Sequence, residues 1–275
     1  MCGRYVMARA TSDLVALGDA ETNEELVLRQ SWNVAPTAEV PILVAHADDG
    51  GAGVTRRIHV ARWGLVPPWA KGLSVGSRAF NARSETVASK PTFRAAVRAR
   101  RCAVPVEGYY EWKTPEPGAK GPDGRAAKKQ PYYVHPAGAG AGDGEGPVIW
   151  FAGLYEWWQD PEAKAAGEDA WVLSTTILTM AAPDADDDEP VLAALGQLHD
   201  RMPVPMDAET MGRWLAPDTL GSAEEADALV GQVCAGAYDV AAGWSLRPVG
   251  GAVGNVRNNG PELTQEMREQ QGTLL

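Results

Sequence analysis

Cysteine is scarce in this chain and poorly placed for structural work. Cys2, Cys102 and Cys234 are an odd number, far apart, with no CxxC pair. Neither a disulfide framework nor a cysteine-based zinc site is encoded, and no metal or organic cofactor is expected. Also missing is any apolar run of the roughly 18 to 20 residues that a membrane helix needs. No basic segment followed by an apolar one opens the sequence, so the expectation is a cytoplasmic protein without a membrane partner, nucleoid-associated only when bound to DNA. Positive charge is in deficit as well: 25 Lys and Arg stand against 36 Asp and Glu, for a net charge of −11 over 275 residues. That balance argues against nucleic acid at first sight, because phosphate binding depends on Lys and Arg displacing counterions.

The deficit is uneven. Between residues 54 and 101 lie Arg56, Arg57, Arg62, Lys71, Arg78, Arg83, Lys90, Arg94, Arg98, Arg100 and Arg101, against the single acid Glu85. The compensating acids fall in 160–190 and 207–227, among them Asp184, Asp186, Asp187, Asp188 and Glu189, and read as solvated loops and helix faces. A basic face on an acidic protein is compatible with this pattern, and so is a helix near 93–101 that merely carries surface arginines.

A hydrophobic share of 45% is that of a globular chain able to bury a core. Short extended runs bounded by Pro or Gly dominate the first two thirds, at 40–45, 58–63, 101–106, 132–135, 148–154 and 171–178. Helical periodicity appears at 11–17, at 84–100 with a break near Pro91, at 208–215 and at 223–235. The mixture is α+β without βαβ alternation. No repeat or internal boundary is evident, so a single, monomeric domain over 1–263 is expected, with a flexible polar tail over 264–275. Two stretches read as insertions: 114–130, rich in Pro, Gly and Lys, and 136–147, mostly Gly and Ala.

The residue types with chemistry to offer begin at the N-terminus. Cys2 follows the initiator Met and precedes Gly3; a small penultimate residue is what methionine aminopeptidases accept, so Cys2 is expected to become residue one. An α-amine has a pKa of about 7.7 to 8.0, so roughly a tenth of it is a free nucleophile at pH 7, far more than for lysine. A 1,2-aminothiol also does what lysine cannot. The amine condenses with an aldehyde to an imine, and the thiol then closes a five-membered thiazolidine. Taken alone, Cys2 is equally compatible with an accidental, buried or acetylated residue.

Six further segments stand out: Trp32-Asn33-Val34-Ala35-Pro36; Trp63-Gly64-Leu65-Val66-Pro67-Pro68-Trp69; Asn81-Ala82-Arg83-Ser84-Glu85-Thr86; Arg101-Cys102-Ala103-Val104-Pro105 running into Gly108-Tyr109-Tyr110-Glu111-Trp112-Lys113; Leu198-His199-Asp200-Arg201-Met202-Pro203; and Gly254-Asn255-Val256-Arg257-Asn258. With Met1-Cys2-Gly3-Arg4-Tyr5, their order and spacing resemble the SRAP family of SOS response-associated peptidases, the abasic-site processing proteins of bacteria and eukaryotes. The resemblance departs from the chain only in the two insertions. It implies a barrel-like, largely antiparallel β core with peripheral helices. It further implies a covalent thiazolidine cross-link from Cys2 to abasic sites in single-stranded DNA, with lyase-type strand cleavage and autoproteolytic removal of Met1 as associated activities.

By the same resemblance Cys2 is similar to the family's nucleophile, and Asn81, Glu111 and His199 to its other catalytic residues. Each role makes physical sense. Opening a deoxyribose ring to its aldehyde needs a proton shuttle, and a carboxyl in a strand lined by Trp and Tyr suits it. The bland alternative for Glu111 is a surface carboxylate, exposed by alternation if Tyr110 and Trp112 point inward. Asn81 can donate and accept, holding the amine and a sugar hydroxyl in register, although such an Asn is commonly a turn or cap residue. A histidine side chain can give and take protons, which suits His199 to the shuttle, whereas His46, His59 and His135 have no comparable surroundings. Arg4, Arg83 and Arg201 are expected to clamp phosphates, or else to form salt bridges such as Arg83 with Glu85 or Arg201 with Asp200. Trp69, in a loop after two prolines, is expected to stack on a base or to pack inside; Trp32, Trp63 and Trp112 read as core.

Three rival functions share parts of this pattern. An N-terminal-nucleophile amidohydrolase of the class II glutamine amidotransferase type also begins Met-Cys-Gly and uses its own amine as base. A thiol peptidase would pair Cys2 with His199. A non-catalytic DNA reader would use the aromatics and arginines alone.

Overall fold

Strand β3 (Glu39–Ala47) shows why this sequence builds a two-faced core: Val40, Ile42 and Val44 point into one apolar cluster while Leu43, between them, points into another. Alternation of side chains on a strand produces this, and β-branched residues suit it. The computed structural model describes residues 2–22, 26, 28–48, 53–121, 123–138 and 146–267.

Five strands close a ring. β3 pairs antiparallel along its length with β4 (Val54–Trp63) and touches β6 (Arg101–Val106) at Leu43↔Ala103. β6 runs antiparallel to β9 (Ile149–Gln159), and β9 to β10 (Trp171–Ala181). β10 returns to β4 in parallel at Ser174↔Arg62 and Thr175↔Trp63. On the ring's margin, β5 (Asn81–Arg83) lies parallel to β10, β11 (Arg201–Pro203) antiparallel to it, and β12 (Pro205–Met206) beside β9. A second, antiparallel sheet runs in the order β13 (Trp244–Pro248), β8 (Gln130–Pro136), β7 (Gly108–Lys113), β1 (Tyr5–Met7), β2 (Ser31–Val34). The fold is thus α+β with a barrel-like, largely antiparallel core.

Helices close the outer surfaces: α1 (Thr11–Gly18), α2 (Arg94–Ala99), α3 (Pro161–Ala165), α4 (Pro190–Leu198), α5 (Ala208–Trp214), α6 (Ala223–Ala235) and α7 (Ala237–Ala242). One core joins the two sheets and α4, gathering Cys2, Tyr5, Trp63, Tyr109, Ile177 and Leu195. The other lies under α2, α5 and α6, around Phe93, Leu154, Leu178 and Trp214.

Several expectations need correction. The helix expected over 84–100 is only a 3-10 turn at Ser84–Thr86 followed, after a break, by α2. Pro91 lacks an N–H and disfavours helical backbone at Lys90. The start of the tail expected from 264 is instead packed: Thr264 is fully buried and Glu266 bridges Val249; residues 268–275 lie outside the described ones. The 114–130 insertion extends the β7–β8 hairpin through a Lys120↔Ala126 bridge, while 139–145 of the second insertion fall outside the described residues. Trp63 is fully buried as expected, but Trp32 and Trp112 only flank a core.

The join between β4 and β5 depends on two glycines. Gly64 has φ +131°, where side chains are strained, and donates to Thr175 O at 2.7 Å. A Cβ on Gly64 would lie 2.4 Å from Gly76 O, and one on Gly76 2.3 Å from Gly64 O. Gly64→Ala should therefore lower stability by at least about 2 kcal/mol, read as a drop in thermal midpoint of several degrees; an unchanged midpoint would contradict this packing.

Candidate active site

Cys2 stands where the two sheets meet. It precedes β1 and is 0% exposed. Its carbonyl accepts a 2.7 Å hydrogen bond from Asn81 Nδ2, and Asn81 is held in place because β5 lies alongside β10 at Ile177↔Asn81. On the other side, β1 pairs with β7 through Tyr5↔Tyr109, and Tyr110 N donates to Arg4 O at 2.8 Å. That antiparallel register continues toward the N-terminus and sets Glu111 beside Gly3 and Cys2.

Electrostatics bear out the proximity. Burial, reinforced by the Glu111 carboxylate, pushes the Cys2 thiol far above the ordinary thiol range, which favours the thiol over the thiolate. Burial and the neighbouring Cys2 raise the Tyr5 hydroxyl; burial, Cys2 and Glu111 raise that of Tyr109. These four residues share one low-dielectric space.

Glu111 is 5% exposed, and its Oε1 accepts from Trp112 N–H at 3.2 Å. The surface alternative fails because β7 is covered on both faces, Tyr109 facing the inter-sheet core and Tyr110 a separate cluster with Val6, Tyr133 and Leu263. Asn81 Oδ1 is buried and accepts no hydrogen bond among the described residues.

His199 follows the last residue of α4, whose Leu192, Leu195 and Leu198 pack into the core that holds Cys2. Its side chain stays 29% exposed, with Nδ1 2.6 Å from Asp200 Oδ1 and 3.0 Å from Arg201 N. The first contact wants a proton on Nδ1 and the second a lone pair, so the tautomer decides which is made.

The four residues expected to bind DNA divide into two kinds. Arg201 is committed inside the protein: its guanidinium forks onto Glu85 at 2.6 and 3.0 Å and donates to Thr179 O at 2.7 Å. Neither Asp200 nor Arg83 makes the pairs considered from sequence. Arg4 donates to Asn33 Oδ1 at 2.8 Å and Val253 O at 2.7 Å, and lies over the Trp112 ring. Arg83, by contrast, is exposed on β5 and makes no ion pair among the described residues. Trp69 is 62% exposed, in a loop pinned by Trp158 Nε1 donating to Ala70 O at 2.8 Å.

Sequence reading missed three contributors. Tyr5 and Tyr109 line the space around Cys2. Asn33 reaches Asn258 O at 2.8 Å and Asn255 O at 3.1 Å, tying the segment after Trp32 to the one after Gly254. Both segments stood out as motifs, but nothing in either said that they touch. Among the described residues no group of three His, Cys, Asp or Glu is arranged to hold a metal ion, and no helix is long and apolar enough to cross a membrane.

Cys2 thus lies buried ahead of β1 with the Asn81 amide on its carbonyl and the Glu111 carboxylate close by. The chain belongs to the SRAP family: the family model described as SOS response associated peptidase matches residues 1–256. It is 30% identical over 266 residues to the abasic site processing protein YoqW of Bacillus subtilis, covering 96% of this chain and 99% of that one. It is 27% identical to the abasic site processing protein HMCES of Xenopus tropicalis, over 84% of this chain and 64% of the relative. In fold it is similar to a Bacteroides thetaiotaomicron protein of known crystal structure, with TM-score 0.68 at 20% identity, over 97% of this chain and all of that one.

The Glu85–Arg201 pair gives a pH signature. The Arg201 hydrogen bond holds the Glu85 carboxyl below the usual range, so its stabilisation is present above the unfolded-state value of about 4.3 and is lost as pH falls through the lower folded value. Discounted for exposure, Glu85→Gln should be less stable than wild type at pH 7 by up to about 1 kcal/mol. In urea melts that gap should close on acidification; a gap constant from pH 7 to pH 3 would contradict it.

Proposed function

We propose that the chain processes abasic sites in single-stranded DNA by forming a covalent cross-link through Cys2. The observation that carries this reading is the convergence of Cys2, Asn81 and Glu111 from three elements onto one buried point ahead of β1, together with the likeness to abasic site processing proteins.

The reading assigns each group a step. Loss of Met1, by autoproteolysis or by an aminopeptidase, frees the Cys2 amine. Glu111 accepts the proton of the sugar C1′ hydroxyl as the ring opens, and His199 supplies the proton that O4′ takes up. The amine attacks the aldehyde carbon and water leaves, giving an imine. The thiol then adds across the C=N bond: a C–S bond forms, and the thiol proton passes to nitrogen. The amine acts first and the sulfur second, because the C–S bond is made to the carbon of an imine already formed. Asn81 holds the residue 2 backbone still throughout. An imine that does not close loses the 3′ phosphate by β-elimination, which is the lyase outcome.

Arg83 and Trp69 are the groups presented to a strand, one for a phosphate and one for a base face. A single strand suits such a site because an abasic nucleotide in a duplex must first be extruded. No cofactor takes part: the aldehyde is already the electrophile.

Denaturing electrophoresis of the processed protein with a single-stranded oligonucleotide carrying one abasic site, without borohydride, tests the reading. A heat-stable, slow species should form with wild type and vanish in Cys2→Ala. Cys2→Ser keeps the amine and should give only a borohydride-trappable adduct with strand cleavage. Any residue left ahead of Cys2 should abolish both. Glu111→Gln should slow cross-linking by about 10²- to 10⁴-fold. A heat-stable species that persists in Cys2→Ala sinks the proposal.

A further inference from the structure

Asn81 also borders a surface groove of about 470 Å³ walled by Ser74, Ser77, Arg78, Lys90 and Thr92. Asn81 is therefore a shared wall: its Nδ2 donates to Cys2 while its residue borders the groove. We propose that this groove is a phosphate subsite, taking the phosphodiester of the single strand next to the abasic residue; this rests on the reading above and adds to it where the strand continues.

The charge pattern favours an anion. Arg78 and Lys90 are in no ion pair among the described residues. The one acid of the 54–101 stretch, Glu85, is neutralised by the fork of Arg201. Two cations and three hydroxyls thus face a space without a counter-charge, and charge-assisted hydrogen bonds to phosphate oxygens are the strong ones. Two cations on an acidic protein matter because the rest of its surface repels DNA.

The groove is also built, not incidental. The 3-10 segment Leu73–Arg78 that carries Ser74, Ser77 and Arg78 is fixed against the end of β4: Gly76 and Gly64 approach closer than any Cβ allows, and Leu65 N donates to Ala79 O at 3.1 Å. Phe93, buried, lines the groove with Lys90 and Thr92, and its N–H donates to Lys90 O at 2.9 Å. Both walls are held by backbone packing, so the cations stand ready before a ligand arrives, which limits the ordering cost of binding.

Two measurements test this, both on the full chain. The first is the salt dependence of binding to an undamaged single strand. Arg78→Ala/Lys90→Ala should lower the slope of log K against log salt by about 0.7 per lost contact, whereas a charge-matched control outside the groove, Arg125→Ala/Arg213→Ala, should leave it near wild type. The second scans an abasic oligonucleotide with a single neutral methylphosphonate at each flanking linkage and reads the cross-linking rate. Wild type should slow markedly at one linkage adjacent to the abasic residue, and the groove variant should be slow with every oligonucleotide but indifferent to that linkage. A variant that keeps both the wild-type slope and the wild-type response to that linkage overturns the subsite. Failure of wild type to cross-link at all strikes the Cys2 reading instead, and the salt slope still decides the groove.

Discussion

The hydrogen bond from the Asn81 amide to the Cys2 carbonyl spans the two sheets at their reactive end. Cys2 leads into β1 of the sheet ordered β13–β8–β7–β1–β2, and Asn81 lies on the strand laid on β10 of the other sheet. Segments near a chain end ordinarily fray; Cys2 is inserted into the inter-sheet core with Tyr5, Trp63 and Ile177. The rest of the site depends on that insertion. Glu111 is buried because β7 is covered on both faces, and its carboxylate then meets a thiol that burial has already made hard to ionise.

The same constraint explains how an acidic chain can have business with a polyanion. Most of its charge is spent on solvated surfaces far along the sequence, and the single acid among the basic residues near the site is held by Arg201. The arginines that sequence pattern brought together do different work once folded. Arg4 and Arg201 brace the architecture around the site, while Arg83, Arg78 and Lys90 are left facing outward.

How much of this is legible in the sequence follows from what local chemistry can encode. Strands with continuous or alternating apolar residues, such as β3, β6 and β10, are anticipated to within a few residues, because burial is written into their own side chains. The three-residue β1 and β5 are too short to carry a period, yet they place Cys2 and Asn81. Helix α4 goes unread because its apolar residues follow an acidic run and a proline. The four catalytic candidates are identifiable from motif resemblance, but not that Glu111 would be buried, that Glu85 and not Asp200 would hold Arg201, or that Asn33 would join segments 220 or more residues apart in sequence. Those facts come from non-local pairing, to which a local pattern is blind.

The most direct test of the central claim, that both the amine and the thiol of Cys2 are consumed, is a count of free thiols. The chain has three cysteines, all reduced. The processed protein, denatured and alkylated, should gain three alkyl groups by intact mass. After reaction with an abasic single strand and nuclease digestion to the bound nucleotide, the adduct should have the mass of its parts less one water and gain only two. An adduct that still takes up three alkyl groups would mean an open imine or a different attacking residue, and would contradict the account.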